Sequence, residues 1–216
     1  MERFTAFVSK KHSRLPVFYH AHSFGTLVAM DVTGHSKEIK PAGVILHSVS
    51  MPLLIERENF IKGAIFKLVS PVRFPHVWLG EGMNDPTGDK TLNCLWWSSP
   101  DRLTKGYKVG YLYKAAKLGH QSRLFSKTIS IPVLALEGAR DQVVAKGKKA
   151  KLAYDKFLRT ELCDGKAKVI CYRYGFHTMT LPKTGNVALD CTSQKAMADI
   201  TRWLNQQSIR VSLKKQ

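Results

Sequence analysis

No stretch of this 216-residue sequence approaches the roughly 18 consecutive apolar residues of a membrane-spanning helix. The longest apolar runs, around Gly43–Leu46 and Ala64–Val69, are broken by polar or charged residues within a few positions. The segment Met1–Val8 lacks the apolar core and small-residue cleavage site of a secretory leader and reads as a helix from within a domain. These absences lead us to expect a cytoplasmic chain, or a piece of something longer. The four cysteines, Cys94, Cys163, Cys171 and Cys191, have no C-x-x-C spacing, which argues against zinc and redox frameworks and for reduced thiols. Acidic residues are scarce: 16 Asp and Glu stand against 34 Lys and Arg, for a net charge of +18. The excess is concentrated in residues 146–216, which hold 15 basic and 5 acidic side chains. Such a field attracts polyanions, so anionic lipid, nucleic acid and a plainly solvated surface are the three readings. With no RNP motif and no basic helix carrying adjacent aromatics, nucleic acid has charge alone behind it.

What the sequence does have is material for a core. Its hydrophobic residues make up 44%, enough for one domain and too many for a disordered chain. Four β-branched or aromatic runs stand out: Val17–Ala21, Gly43–His47, Ile131–Glu137 and Ala167–Tyr172. Each reads as a strand buried on both faces. Helical spacing follows the first (Phe24, Leu27, Val28, Met30), the third (Ala150, Leu152, Ala153, Phe157, Leu158) and the fourth (Ala196, Met197, Ile200, Trp203, Leu204). Strands alternating with helices predict an α/β fold with a parallel sheet. The interval between the second and third strands is too long for one crossover. It predicts a mostly helical insertion over 51–127, set into a core made of 1–50 and 128–216. Within it Phe60, Ile61, Ala64, Ile65, Leu68 and Val69 repeat at helical spacing beside Lys62, Lys67 and Arg73, the pattern of an amphipathic helix.

The densest chemistry lies in Phe18-Tyr19-His20-Ala21-His22-Ser23-Phe24-Gly25, where an apolar strand runs into Ser23 and a helical pattern starts directly after it. The arrangement is nearly G-x-S-x-G, a turn so sharp that the nucleophile sits at strained backbone angles while small residues two before and two after let strand and helix approach. Gly25 supplies one small residue, and Ala21 replaces glycine at the other position, with His22 between the strand and Ser23. After the third strand comes Glu137-Gly138-Ala139-Arg140-Asp141, a loop expected to expose Asp141. After the fourth comes Tyr174-Gly175-Phe176-His177, which puts His177 on the next loop. The carboxyl ends of parallel strands converge on one crevice, so Ser23, Asp141 and His177 can meet. Their order, Ser then Asp then His, is that of α/β-hydrolases rather than of chymotrypsin or subtilisin.

On these residues the sequence resembles the α/β-hydrolases of the monoacylglycerol lipase and bacterial lysophospholipase group. The group's A/G-H-S-M-G elbow matches Ala21–Gly25, its P-x-L-x-L-x-G-x-x-D-x-V-V segment matches Pro132–Val144, and its G-x-H-E segment matches Gly175–Thr178. Through Arg159–Gly165 the chain looks most similar to inner-membrane-associated lysophospholipases. Thr26 stands where a second glycine is usual, and Thr178 where glutamate is common. Members of the group carry early strands and an H-G-type loop before the elbow. This chain starts at the helix before the nucleophile strand, so a partial fold is expected, with about four strands, helices on both faces, and the Val17–Ala21 strand as an apolar edge. Only the N–H of Phe24 is then in place as an oxyanion donor.

The resemblance implies a serine hydrolase that cleaves a carboxylic ester of a lipid, a lysophospholipid or a monoacylglycerol, using no metal and no other cofactor. The catalytic residues would be Ser23, Asp141 and His177, and the protein would touch anionic membrane peripherally, at the inner face. The competing reading is a truncated remnant with little or no catalysis that binds anionic surfaces. His20 and His22, at i and i+2, are read as structural rather than metal-binding, with His20 pointing away from the turn. Trp96, Trp97, Tyr107, Tyr111 and Tyr113 either line an acyl pocket or pack the insertion. Lys146-Gly147-Lys148-Lys149-Ala150-Lys151 is no phosphate loop and reads as a solvated helix start.

Overall fold

Gly43–His47 and Val133–Gly138 contain hardly a side chain that water would solvate well, and the chain places both at the centre of its sheet. A computed structural model describes residues 1–36, 41–50, 78–79, 87–98, 107–144, 148–181 and 183–213. Helix α1 spans Glu2–Lys11, strand β1 Phe18–His22, helix α2 Phe24–His35 and strand β2 Gly43–His47. The insertion contributes β3 (Trp78–Leu79), α3 (Lys90–Ser98), β4 (Tyr107–Lys108) and α4 (Val109–Ser126). The chain then forms β5 (Val133–Gly138), α5 (Lys148–Lys156), β6 (Lys168–Tyr172) and α6 (Val187–Leu213). The four long strands lie in the order β1-β2-β5-β6, all parallel, with Phe18 beside Gly43, His22 beside His47 and His47 beside Leu136. The resulting α/β fold has helices against both faces of the sheet, as the resemblance implied.

Alternation along each strand divides the core. On one face Tyr19, Ala21, Val44, Leu46, Val133 and Ala135 pack with Leu27, Ala29 and Met30 of α2, with Tyr154 of α5 and with Phe157 and Leu158 just beyond it. On the other, Ile45, Leu134 and Leu136 meet Ala196, Ile200 and Trp203 of α6, and the Phe18 ring stands edge-on to Trp203 at 5.9 Å. At about 1.5–3 kcal/mol for each fully buried large apolar side chain, these two layers are the main favourable term in holding the strand ends where they are.

Burial on both faces holds for β2 and β5 but not for the outer strands. β1 alternates, with Tyr19 and Ala21 inside and His20 and His22 exposed, and β6 is mostly half-buried or exposed. A strand at the margin of a sheet has one neighbour fewer to cover its side chains, which explains the difference. Leu152 and Met197, placed in helical core patterns by spacing alone, are exposed.

The helix Phe60–Val69 expected in the insertion lies outside the described residues. So do the side chains of Trp96, Trp97, Tyr107, Tyr111 and Tyr113. The described part holds, besides its two helices, a two-residue antiparallel pairing of β3 with β4. Helix α4, which closes the insertion, packs along α2: the Thr128 hydroxyl just beyond it donates to the carbonyl of Gly34 at 2.8 Å, and the His35 and Phe125 rings are 5.2 Å apart. Arg123 of α4 forks onto Glu161 with three N–H···O contacts of 2.9 to 3.1 Å. Beyond Glu161 the chain passes through Cys163 and Asp164 in left-handed backbone, at φ 53° and 54°. Each non-glycine residue there costs on the order of 1–2 kcal/mol, offset by the burial of Leu162 and Cys163 and by the Arg123 fork.

Candidate active site

Ser23 sits between the last residue of β1 and the first of α2, at φ 52° and ψ −125°, a region that L-residues seldom occupy. The strain is held by hydrogen bonds. The Ser23 N–H donates to the carbonyl of His47 at 3.0 Å, and the Ser23 carbonyl accepts from the backbone and hydroxyl of Thr26 at 2.9 and 2.6 Å. Thr26 is fully buried, and its hydroxyl also accepts from the Ser50 N–H at 2.9 Å. The threonine that departs from the family's usual glycine thus ties the elbow to the chain beyond β2. Ala21 fits too, since a Cβ built on Gly25 would lie 4.0 Å from its methyl, an ordinary contact.

The loop after β5 carries Asp141 and the loop after β6 carries His177, and the two loops touch. A Cβ on Gly138 would come within 2.5 Å of the carbonyl oxygens of Gly175 and Phe176, so only glycine allows this approach. Arg140 N–H donates to the Gly175 carbonyl at 2.9 Å, locking one loop to the other. Across this junction His177 Nδ1 lies 2.9 Å from Asp141 Oδ2, and His177 Nε2 lies 2.8 Å from Ser23 Oγ. An ionised carboxylate only accepts, so Nδ1 carries the proton and Nε2 is left to accept from the serine hydroxyl.

Asp141 was expected to be exposed. It is instead 5% exposed and His177 2%. Burial pushes the Asp141 carboxyl upward, but His177 and the backbone N–H groups of Val143 and Val144, at 2.8 and 3.2 Å from Oδ1, hold it below the usual carboxylate range. A serine hydroxyl, an imidazole and a carboxylate in unbroken hydrogen-bond contact can move a proton off the hydroxyl and stabilise the imidazolium that results.

Around this line stand three further histidines. His20 does not point away from the turn: its ring stacks at 6.3 Å on that of His47, which lies 4.8 Å from His22, and His22 is 4.9 Å from His177. His22 Nε2 donates to the carbonyl of His177 at 3.0 Å, and the Ser48 hydroxyl donates to the same oxygen at 2.6 Å. The His47 Nε2 accepts the Met179 N–H at 3.2 Å. Burial, reinforced by the neighbouring imidazoles, pushes His47 down to about 3, and partial loss of solvating water lowers His22 and His20 as well. His47 and Ser48 carry no sequence motif; His47 is the last residue of β2, in register with His22 of β1, and Ser48 follows it.

A family model described as serine aminopeptidase, S33, matches residues 1–181. The chain belongs to this hydrolase family. Solved structures agree on the fold. Monoacylglycerol lipase from Paleococcus ferrophilus superposes with a TM-score of 0.60 at 16% identity, over 96% of this chain and 76% of that one. A soluble variant of monoglyceride lipase from Saccharomyces cerevisiae gives 0.69 at 18% identity, over 96% and 68%. A thermostable carboxyl esterase from Bacillus coagulans gives 0.57 at 16%, over 92% and 68%. No curated protein sequence matches the chain. These lipases and the esterase share with this chain the α/β-hydrolase fold.

Elsewhere in this S33-family chain, the lysine run at the start of α5 is not wholly solvated. Lys151 reaches Glu137 at 3.3 Å and Asp155 at 3.2 Å. All four cysteines are free; burial pushes the Cys163 thiol up to about 12, and partial desolvation beside the Glu137 carboxylate pushes the exposed Cys171 up to about 11. No helix among the described residues is long and apolar enough to cross a membrane. Among them there is also no group of three or more His, Cys, Asp or Glu side chains placed to hold a metal.

Proposed function

We propose that this hydrolase cleaves a carboxylic ester of a lipid, a monoacylglycerol or a lysophospholipid, with Ser23 as nucleophile, His177 as general base and acid, and Asp141 as the group that orients His177. The observation that carries this reading is the line Asp141–His177–Ser23, at 2.9 and 2.8 Å, ending on a serine in elbow geometry. In the first half-reaction His177 Nε2 takes the hydroxyl proton as Oγ bonds to the ester carbonyl carbon. The Phe24 N–H stabilises the oxyanion, and collapse expels the alcohol, which leaves with the proton from His177. Water then adds to the acyl-enzyme by the same route, releasing the fatty acid and restoring Ser23.

The lipid assignment draws on the sequence resemblance and on the monoglyceride lipases among the fold relatives. Residues 51–127 are the proposed cap over a core of 1–50 and 128–216. The net charge of +18 supports peripheral contact with anionic membrane. Binding should appear as pelleting with phosphatidylglycerol vesicles that weakens as salt rises, and should be weak on phosphatidylcholine alone. The test of the activity is a fluorophosphonate probe together with monoacylglycerol and lysophospholipid hydrolysis. Labelling that disappears in Ser23→Ala, with release of fatty acid, is expected. A well-folded protein that does not label supports the non-catalytic, anionic-surface reading instead. Cleavage of amino-acyl amides in preference to esters would replace the lipid substrate with a peptide.

A further inference from the structure

The hydrogen bonds to the main chain of the His177 loop come from an unexpected direction. Asp141 holds the imidazole, but the backbone beneath it is held by side chains from the ends of β1 and β2. Both His22 and Ser48 donate to the carbonyl of His177, and the Met179 N–H donates to His47. Ser48 is completely buried and His47 is 1% exposed, and their side chains bond to the main chain of residues 177 and 179. Ser48 occupies left-handed backbone at φ 51°, and its N–H donates to Leu136 of β5 at 3.0 Å. The same short segment therefore binds the elbow, through the His47 carbonyl and the Ser23 N–H, and the histidine loop, through two side chains.

We propose that His47 and Ser48 are positioning residues: with His22 they clamp residues 177–179 to the elbow, so that His177 Nε2 faces Ser23 Oγ before substrate arrives. The inference rests on the serine-hydrolase reading and adds to it a second point of support for the base. Three features favour this role over plain packing. Two donors converge on one carbonyl, which a packing role does not require. The acceptor on His47 is Nε2, so its proton sits on Nδ1, and a neutral ring adds no charge beside the imidazolium formed in the reaction. Finally, Ser48 keeps a backbone angle that costs free energy where glycine would not, which its hydroxyl offsets. A loop displaced by an ångström can lower turnover about 10²-fold, because the proton transfer depends on that one distance.

Four variants separate positioning from packing. His47→Leu removes the acceptor for Met179, and His47→Gln returns one at the reach of Nε2. Ser48→Gly removes the hydroxyl while relieving the backbone, so folding is not put at risk, and His22→Gln keeps a donor at the reach of Nε2. Two readouts are needed: the rate of fluorophosphonate labelling at Ser23, and the downfield proton resonance of His177 Nδ1–H facing Asp141, which requires no turnover. His47→Leu is expected to slow labelling by roughly 10- to 100-fold and to broaden or shift the resonance, with His47→Gln recovering both to within about threefold. Ser48→Gly should slow labelling about tenfold with an unchanged or higher melting temperature, and should lower kcat on a short p-nitrophenyl ester rather than raise KM.

Labelling rates within twofold of the parent in both His47→Leu and Ser48→Gly, with the resonance in place, overturn the proposal. A loss in His47→Leu that His47→Gln does not recover, matched by an equal fall in melting temperature, also overturns it and leaves a packing residue. If the parent protein fails to label while the resonance still responds to His47→Leu, the clamp stands and the hydrolase reading is what fails.

Discussion

Ser23 and His177 face each other at 2.8 Å, yet the chain holds them by opposite means. Ser23 is fixed mainly by its own turn: a φ of 52° and the hydroxyl of Thr26 three residues on set the elbow, with one long-range bond from the Ser23 N–H to the His47 carbonyl. His177 is fixed at long range, by Asp141 on another loop and by His22, His47 and Ser48 from strands far away in sequence. A nucleophile needs one sharp turn, which a short motif can encode. A base that must face both a hydroxyl and a carboxylate needs its loop held from several sides, which only a completed sheet can supply.

The comparison breaks hardest at the reacting atoms. Ser23→Ala and His177→Ala should each abolish ester hydrolysis, by about 10⁶-fold in analogous hydrolases, and the double variant should add little. Additive losses in kcat would mean that the two residues do not work together. Next in size, Asp141→Asn should cut turnover by about 10⁴-fold while the fold persists, because an amide can present a donor to His177 Nδ1 and favour the wrong tautomer. A circular-dichroism melt unchanged beside the lost rate would separate orientation from stability.

Thr26→Val tests the local side. It removes the hydroxyl that bonds the Ser23 carbonyl and the Ser50 N–H, and leaving these half-buried groups with one bond fewer should cost about 1 kcal/mol in urea unfolding. The long-range side has its own stability signature in pH. His47 is held neutral down to about 3 in the folded chain, whereas an unfolded histidine takes up a proton near 6.5. Between those values the unfolded state binds more protons, so stability falls as pH drops through this window, at up to about 1.4 kcal/mol per pH unit from this group. The lowered His20 and His22 act in the same direction. Melting temperatures from pH 7 to 4 should flatten in His47→Gln. The smallest effect is a gain: Ser23→Gly relieves a backbone angle that costs on the order of 1–3 kcal/mol, less about 0.5–1 kcal/mol for the freer unfolded glycine, and a urea-unfolding curve should show an inactive protein more stable by about 1 kcal/mol.

Several parts of this arrangement are written in short stretches of sequence. The four strands are legible because aliphatic and β-branched runs such as Gly43–His47 can be satisfied only inside a sheet, and the elbow is legible because Ala21-His22-Ser23-Phe24-Gly25 joins a strand to a helix with small residues at its crossing. The order Ser23, Asp141, His177 follows from both. What sequence periodicity could not supply was burial at the sheet's margins and polar pairing across it. Leu152 and Met197 fit their helical patterns and still face solvent, since a period locates a face but not what covers it. Asp141 looked like an exposed turn residue and is buried, because the loop after β6 closes over it through Gly138 and Gly175.

Lys151 belonged to a run of like charges and is held by Glu137 and Asp155, one of them 14 positions away on β5. His47 and Ser48 carry no motif at all. Their bonds to the His177 loop, which follows β6, exist because the parallel order β1-β2-β5-β6 brings the carboxyl ends of these strands to one edge. Local sequence determined the turn that presents Ser23, since φ, ψ and side-chain size act over a few residues. The strand order decided what surrounds the base, because hydrogen bonds across a sheet join residues that no local rule relates.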